Sequence, residues 1–222
     1  MNKILAITNR QLCREDFLQR LEKIAAANIH ALILREKDLS PTAYEELAHQ
    51  VIPLCRRHNV LCILHFHLGV ARKLQWPHIH LPLPLLRQSA GEKDAWQTLG
   101  VSVHSISEAQ EAVALGATYL TAGHVFATDC KKDLAPRGLA FLQQVCDQTA
   151  IPVYALGGIT PQTVRRLRGL PIAGVACMSG LMICDNPSQY ADLLSASFSA
   201  SVGAQLRSRA SDLCCDKPPD HP

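Results

Sequence analysis

The stretch Ile151-Pro152-Val153-Tyr154-Ala155-Leu156-Gly157-Gly158-Ile159-Thr160-Pro161 reads as a strand, a turn and a helix start in immediate succession. The short apolar run from Pro152 to Leu156, bounded by turn residues, has the pattern of a strand buried on both faces. Gly157-Gly158 frees the backbone from the limits that a side chain sets. Thr160 before Pro161 puts an N-cap residue ahead of proline at the first helical position. A strand that runs into a helix at its carboxyl end is the repeating half of a parallel β/α structure.

The same unit recurs along the chain. Ile4 to Thr8 is a strand, and Phe17, Leu18, Leu21, Ile24 and Ala25 follow at helical spacing. Ala31 to Leu34 is the second strand. Ser40-Pro41 opens a helix that runs to about His58. Leu61 to Leu64, with a short helix over Gly69 to Gln75, is the third unit, and His78 to Leu81 is a weaker fourth strand. A polar stretch separates it from Leu99 to Val103, after which Ser107 caps a helix to Leu115, closed by Gly116. Tyr119 to Ala122 is the sixth strand, followed by a long loop and a helix over Leu139 to Cys146. Ile172 to Cys177 is the eighth strand, and Ser188 to Ser195 the last helix. Eight such units predict an α/β chain closed into a single (β/α)8 barrel over residues 1–198. The competing open doubly wound sheet would place Gly-x-Gly-x-x-Gly after the first strand, where this chain has Thr8-Asn9-Arg10-Gln11-Leu12. Residues 199–222 lose the apolar periodicity and read as a disordered tail.

Composition narrows the function classes. The chain has 222 residues, 48% apolar and 18% charged, with a net charge of +3 and scattered basic residues. There is no basic stripe for nucleic acid and no polybasic membrane patch. No segment reaches the roughly 18 apolar residues of a membrane span, and the opening apolar run is too short for a signal sequence, so the expectation is a cytoplasmic protein. The nine cysteines are irregularly spaced without Cys-x-x-Cys, and read as small core residues. His65, His67, His78 and His80 alternate, yet no carboxylate or cysteine lies at ligand spacing beside them, so no metal is expected there.

In a barrel, chemistry collects on the loops after the strands. Gly157 and Gly158 after strand seven, with Ser179 and Gly180 after strand eight, stand where barrels recurrently bind phosphate. Arg35 and Lys37, two residues apart at the end of strand two, share one face and suit an anionic group. His124 leaves strand six beside Gly123, where a group titrating near neutral pH suits proton transfer. Each also has a plainer reading: a tight turn, a solvated charged loop and a packed histidine.

Leu-Arg-Glu-Lys-Asp-Leu-Ser (34–40), Gly-Val-Ser-Val-His-Ser (100–105), Gly-Ala-Thr-Tyr (116–119) and Ala-Leu-Gly-Gly-Ile-Thr-Pro (155–161) together resemble the thiamine phosphate synthase superfamily over residues 1 to about 190. The resemblance implies either of two activities. The synthase joins a pyrimidine pyrophosphate to a thiazole phosphate with magnesium held by two aspartates. This chain departs at both, with His65-Phe66-His67 after strand three and Leu85 after strand four, and Ile33 replaces a further glutamine. The His124 loop is similar to the TenI-type thiazole tautomerase, which implies an isomerase without cofactor, with His124 catalytic. Arg35 or Lys37 would then hold the carboxylate of a thiazole phosphate, and Gly158, Ser179 and Gly180 its phosphate. Phe66 and Leu85 would offer a dry surface in place of the metal site. The expectation is therefore a thiazole tautomerase; the alternatives are the synthase, a regulatory barrel binding thiazole or thiamine phosphate, and an unrelated phosphate-binding isomerase. Whether Ser102, His80 or Lys131 lines the pocket stays open, as does a homodimer.

Overall fold

The computed structural model describes residues 3–128 and 134–199. The tail expected over residues 199–222 falls, from residue 200 onward, outside the described residues, as does Lys131. Eight parallel strands close into a barrel in sequence order: β1 (Lys3–Ile7), β2 (Ala31–Leu34), β3 (Leu61–His65), β4 (His78–Pro82), β5 (Thr98–Val103), β6 (Tyr119–Gly123), β7 (Val153–Leu156) and β8 (Gly174–Cys177). The seam pairs Lys3 with Gly174 and Leu5 with Ala176. It needs glycine there, because a Cβ on Gly174 would lie 1.9 Å from the Lys3 carbonyl oxygen.

Outside the barrel lie α1 (Phe17–Ala25), α2 (Pro41–Arg57), α3 (Leu68–Lys73), α4 (Leu83–Gln88), α5 (Ile106–Ala114), α6 (Gly138–Asp147), α7 (Ser179–Ile183) and α8 (Pro187–Ser199). Ser40 caps α2 as read, its hydroxyl accepting from the Ala43 amide at 3.2 Å. Two local readings are corrected. Ser105, not Ser107, caps α5, accepting from the Glu108 amide at 3.1 Å. Thr160-Pro161 opens only turns and a 3-10 helix over Val164–Leu167. The Thr163 hydroxyl accepts from the Thr160 amide at 2.9 Å and donates to the Gly158 carbonyl at 2.7 Å. Side chains that take backbone bonds in this way compete with an α-helical ladder. The polar stretch after β4 holds α4 and a 3-10 segment, Ala90–Ala95.

Alternation along the strands builds two cores. Leu32, Leu34, Cys62, Leu64, Ile79 and Leu81 face the helices, together with Cys55 and Cys177. Leu5, Ile7, Ala31, Ile33, Ile63, Tyr119, Tyr154 and Ala176 fill the barrel interior. Fully buried Tyr44 on α2 ties two strand ends together: its hydroxyl donates to the Leu34 carbonyl (2.6 Å) and accepts from the His65 amide (2.9 Å). Tyr44→Phe leaves both backbone groups buried without that partner, which costs about 1–3 kcal/mol. Urea unfolding should register that loss; an unchanged midpoint would mean the hydroxyl is not holding β2 to β3.

Candidate active site

Strand ends β1 to β3 build the charged side of the barrel mouth. Glu36, directly after β2, is 2% exposed, and its carboxylate accepts from the Thr8 hydroxyl (2.6 Å), the Arg10 amide (3.1 Å) and the Arg10 guanidinium (3.2 Å). Arg10 also grips both oxygens of Asp38, at 2.7 and 2.6 Å, which with partial compensation from lost water holds the Asp38 carboxyl down at about 2. In the loop and turn after β2, Glu36 and Asp38 bind Arg10, while the Lys37 ammonium stands over the Phe66 ring. Among the described residues no carboxylate forms an ion pair with Arg35 or Lys37. Loss of water and then the Arg35 charge lower the Lys37 pKa from the usual lysine value.

Inside the mouth lies a set of neutral polar groups. His80 is 2% exposed; its Nδ1 meets the Tyr119 hydroxyl at 2.8 Å and its Nε2 the Ser102 hydroxyl at 2.8 Å. Ser102 in turn meets Thr121 at 3.1 Å. A Cβ on Gly100 would lie 2.1 Å from the Tyr119 ring and 2.4 Å from His80 Nδ1, so glycine on β5 makes room for this pair. His65 stacks on His80 with centroids 5.6 Å apart, and its buried Nδ1 has no hydrogen-bond partner. Burial, then the Lys37 charge, pushes His80 down to about 3. Burial also pushes His65 well below the usual histidine range, with His80, Lys37 and Arg35 adding to it. Of the alternating histidines, His65 and His80 stack as packed rings held below the usual histidine range, and only His80 is hydrogen-bonded at both nitrogens; His67 packs instead on Tyr44.

Phe66 follows His65 with φ +71°, a region that costs a bulky residue of order 1–3 kcal/mol. Its amide donates to the His80 carbonyl at 3.1 Å. Leu85 sits on α4 and packs against the outer core, so it does not pair with Phe66 as a dry wall of the site; that expectation is corrected.

Loops after β6, β7 and β8 form the other side of the mouth. Gly157 (φ +96°) and Gly158 (φ +65°) are partly accessible, but their glycine requirement comes from within the protein. A Cβ on Gly157 would lie 2.3 Å from the His124 Cβ, and one on Gly158 would lie 2.5 Å from the Ala127 carbonyl oxygen. The same holds for Gly180, where a Cβ would lie 2.1 Å from the Tyr190 hydroxyl, itself 3.4 Å from the Ile159 carbonyl. Tyr190 on α8 therefore clasps loops seven and eight together, with Ser179 at the start of the short α7. His124 is 4% exposed. Its Nε2 donates to the Leu134 carbonyl at 3.1 Å, and its buried Nδ1 has no hydrogen-bond partner among the described residues.

All eight residues singled out in the sequence thus lie on the loops or strand ends of one mouth: Arg35 and Lys37 on one side, Ser102 between, and His124, Gly157, Gly158, Ser179 and Gly180 on the other. What the sequence reading missed is the Thr8–Arg10–Glu36–Asp38 network and the Tyr44 clasp. Their partners lie 10 to 28 residues apart, and no local spacing marks them.

The neutral histidines set a sign for acid stability. Folded His80 and His65 bind fewer protons than the unfolded chain below the reference value of 6.5. Stability is therefore full above that value and falls as pH drops below it, for His80 down to about 3, by up to about 1.4 kcal/mol per pH unit for each ring. Urea midpoints at about pH 7.5 and about pH 5 should differ in that direction, and a His80→Asn chain should lose part of the dependence. A flat profile would mean that the rings are charged when folded.

A thiamine-phosphate synthase of Streptococcus pneumoniae is 32% identical over 186 residues, covering 81% of this chain and 87% of that protein. One from Lacticaseibacillus paracasei is 35% identical over 170 residues, covering 73% and 78%. Thiamine phosphate pyrophosphorylase from Pyrococcus furiosus superposes with a TM-score of 0.77 at 25% identity, covering 88% of this chain and 95% of that one. These names are those of a transferase, and they overturn the expected assignment to an isomerase. That assignment rested on the missing aspartates and on the His124 loop, and a histidine at a strand end serves packing as readily as proton transfer; here His124 ties the Leu134 carbonyl down. Among the described residues no helix is long and apolar enough to cross a membrane. Residues 4–181 match the family model described as thiamine monophosphate synthase, and the chain belongs to that family.

Proposed function

We propose that the protein is a transferase of the thiamine-phosphate synthase type, which takes two phosphorylated small molecules at one barrel mouth and joins them. The observation that carries this reading is the pairing of two anion-suited places on opposite sides of that mouth. Loops seven and eight, clasped by Tyr190, present Gly157, Gly158, Ser179 and Gly180 where barrels bind phosphate. Arg35 and Lys37, without carboxylate partners among the described residues, face the same opening. One side suits the thiazole phosphate, the other the pyrophosphate of the pyrimidine partner. As the pyrimidine carbon–oxygen bond breaks and the thiazole nitrogen takes its place, charge grows on the leaving pyrophosphate. Fixed cations at that point stabilise it. Neutral His80, Ser102 and Thr121 between the two sides offer donors and acceptors without adding charge.

Magnesium, which the family resemblance implies, does not fit the residues present. It demands oxygen ligands, and the ends of β3 and β4 offer imidazole, phenyl and alkyl groups. The one buried carboxylate nearby, Glu36, is already bonded to Thr8 and Arg10. That mismatch favours a second reading, a barrel that binds thiamine phosphate without turnover.

A direct assay separates the two: mix the pyrimidine pyrophosphate and the thiazole phosphate with the protein and follow thiamine phosphate. A transferase yields product and releases pyrophosphate, and Lys37→Ala should lower kcat/KM about 10- to 100-fold through the lost charge-assisted bond. Tight binding of thiamine phosphate with no product would establish the binder instead.

A further inference from the structure

Phe66 is a bulky apolar residue held at a positive φ, at the position where the family resemblance implies a metal-binding aspartate. Its ring is fixed on two sides, by the near-parallel His65 ring (centroids 6.4 Å apart, 17°) and by the edge of His67 (5.4 Å, 84°). Over it stands the Lys37 ammonium, 5.5 Å from the centroid, within the range at which a ring face attracts a cation. Lys37 has no carboxylate partner among the described residues, because Glu36 and Asp38 on either side of it turn to Arg10. Its charge is thus steered by the ring without being neutralised. An aspartate at position 66 would do the opposite, pairing with Lys37 and cancelling the charge unless a metal ion stood between them.

We infer that Phe66 seats Lys37 as a fixed cation, so that the β2–β3 side of the mouth holds a diphosphate through side-chain charge and without a divalent ion. The ring face offsets two influences that work against a charged Lys37, the loss of water and the nearby Arg35. This inference rests on the reading of that side as the place for an anionic partner, and it makes Phe66 a positioning residue that acts through Lys37.

The test is calorimetric titration of the full chain with inorganic pyrophosphate, once with EDTA and once with magnesium. Wild-type protein should bind in EDTA. Phe66→Leu, which keeps an apolar side chain but removes the ring, should weaken that binding about 2- to 5-fold. Phe66→Trp should restore it. In a Lys37→Met background Phe66→Leu should have no further effect, a coupling that a merely structural ring would not show. Melting curves check that each variant is folded. Binding only when magnesium is present, absence of binding in either buffer, or an unchanged affinity in a folded Phe66→Leu chain would overturn the inference. Thiamine phosphate formation in the joining assay would still stand or fall by itself.

Discussion

A closed barrel of eight strands leaves an interior only wide enough for side chains to fill it. That limit governs this protein, because its interior is filled by two chemistries. The lower part is hydrocarbon, with Leu5, Ile33 and Ile63 among its residues. The part nearer the mouth carries His65, His80, Ser102 and Thr121. Burying such groups is least costly where they stay uncharged and bonded, as His80 is at both nitrogens, whereas the His65 Nδ1 is buried without a partner among the described residues. Gly100 gives Tyr119 the room to meet His80, and Ser102 satisfies the other ring nitrogen. A neutral, rigid floor results, and above it any charge stands out.

Charge at the rim is sorted by the loop and turn that follow β2, where Glu36 and Asp38 are drawn to Arg10 and Lys37 lies over Phe66. Arg10 binds Glu36 and Asp38 together and ties the loop after β1 to the loop after β2. Lys37 is left on the mouth side, over the Phe66 ring. A rim built in this way has a fixed positive side, which a flexible charged loop would not.

The fold was legible in the residues because parallel strands buried on both faces read as short apolar runs. Ala31 to Leu34 could be bounded to the residue. Strand β4 looked weak because histidine and proline interrupt its apolar pattern; its place is fixed by pairing with β3 and β5 across ten and more residues. The glycines of loop seven were legible as special but not as to cause. Sequence shows that a Cβ is unwelcome at 157 and 158, and only the packed neighbours His124 and Ala127 show what it would strike. Likewise the spacing suggested a shared face for Arg35 and Lys37, whereas nothing local marked Glu36 and Arg10, which meet across 26 residues of chain.

The error over reaction class has a physical origin of the same kind. A histidine next to a barrel mouth carries little information until its two nitrogens are located. His124 has one nitrogen on the Leu134 carbonyl and its backbone against Gly157, so it contributes to loop packing whatever else it does. Departures from a family pattern are more telling when they come with compensating structure. Phe66 is such a case, because its ring sits between His65 and His67 and under Lys37. A lost aspartate alone would suggest decay of a site. A lost aspartate replaced by a braced ring, in a costly backbone conformation and beneath a lysine that no carboxylate among the described residues pairs, argues instead for different electrostatics at this side.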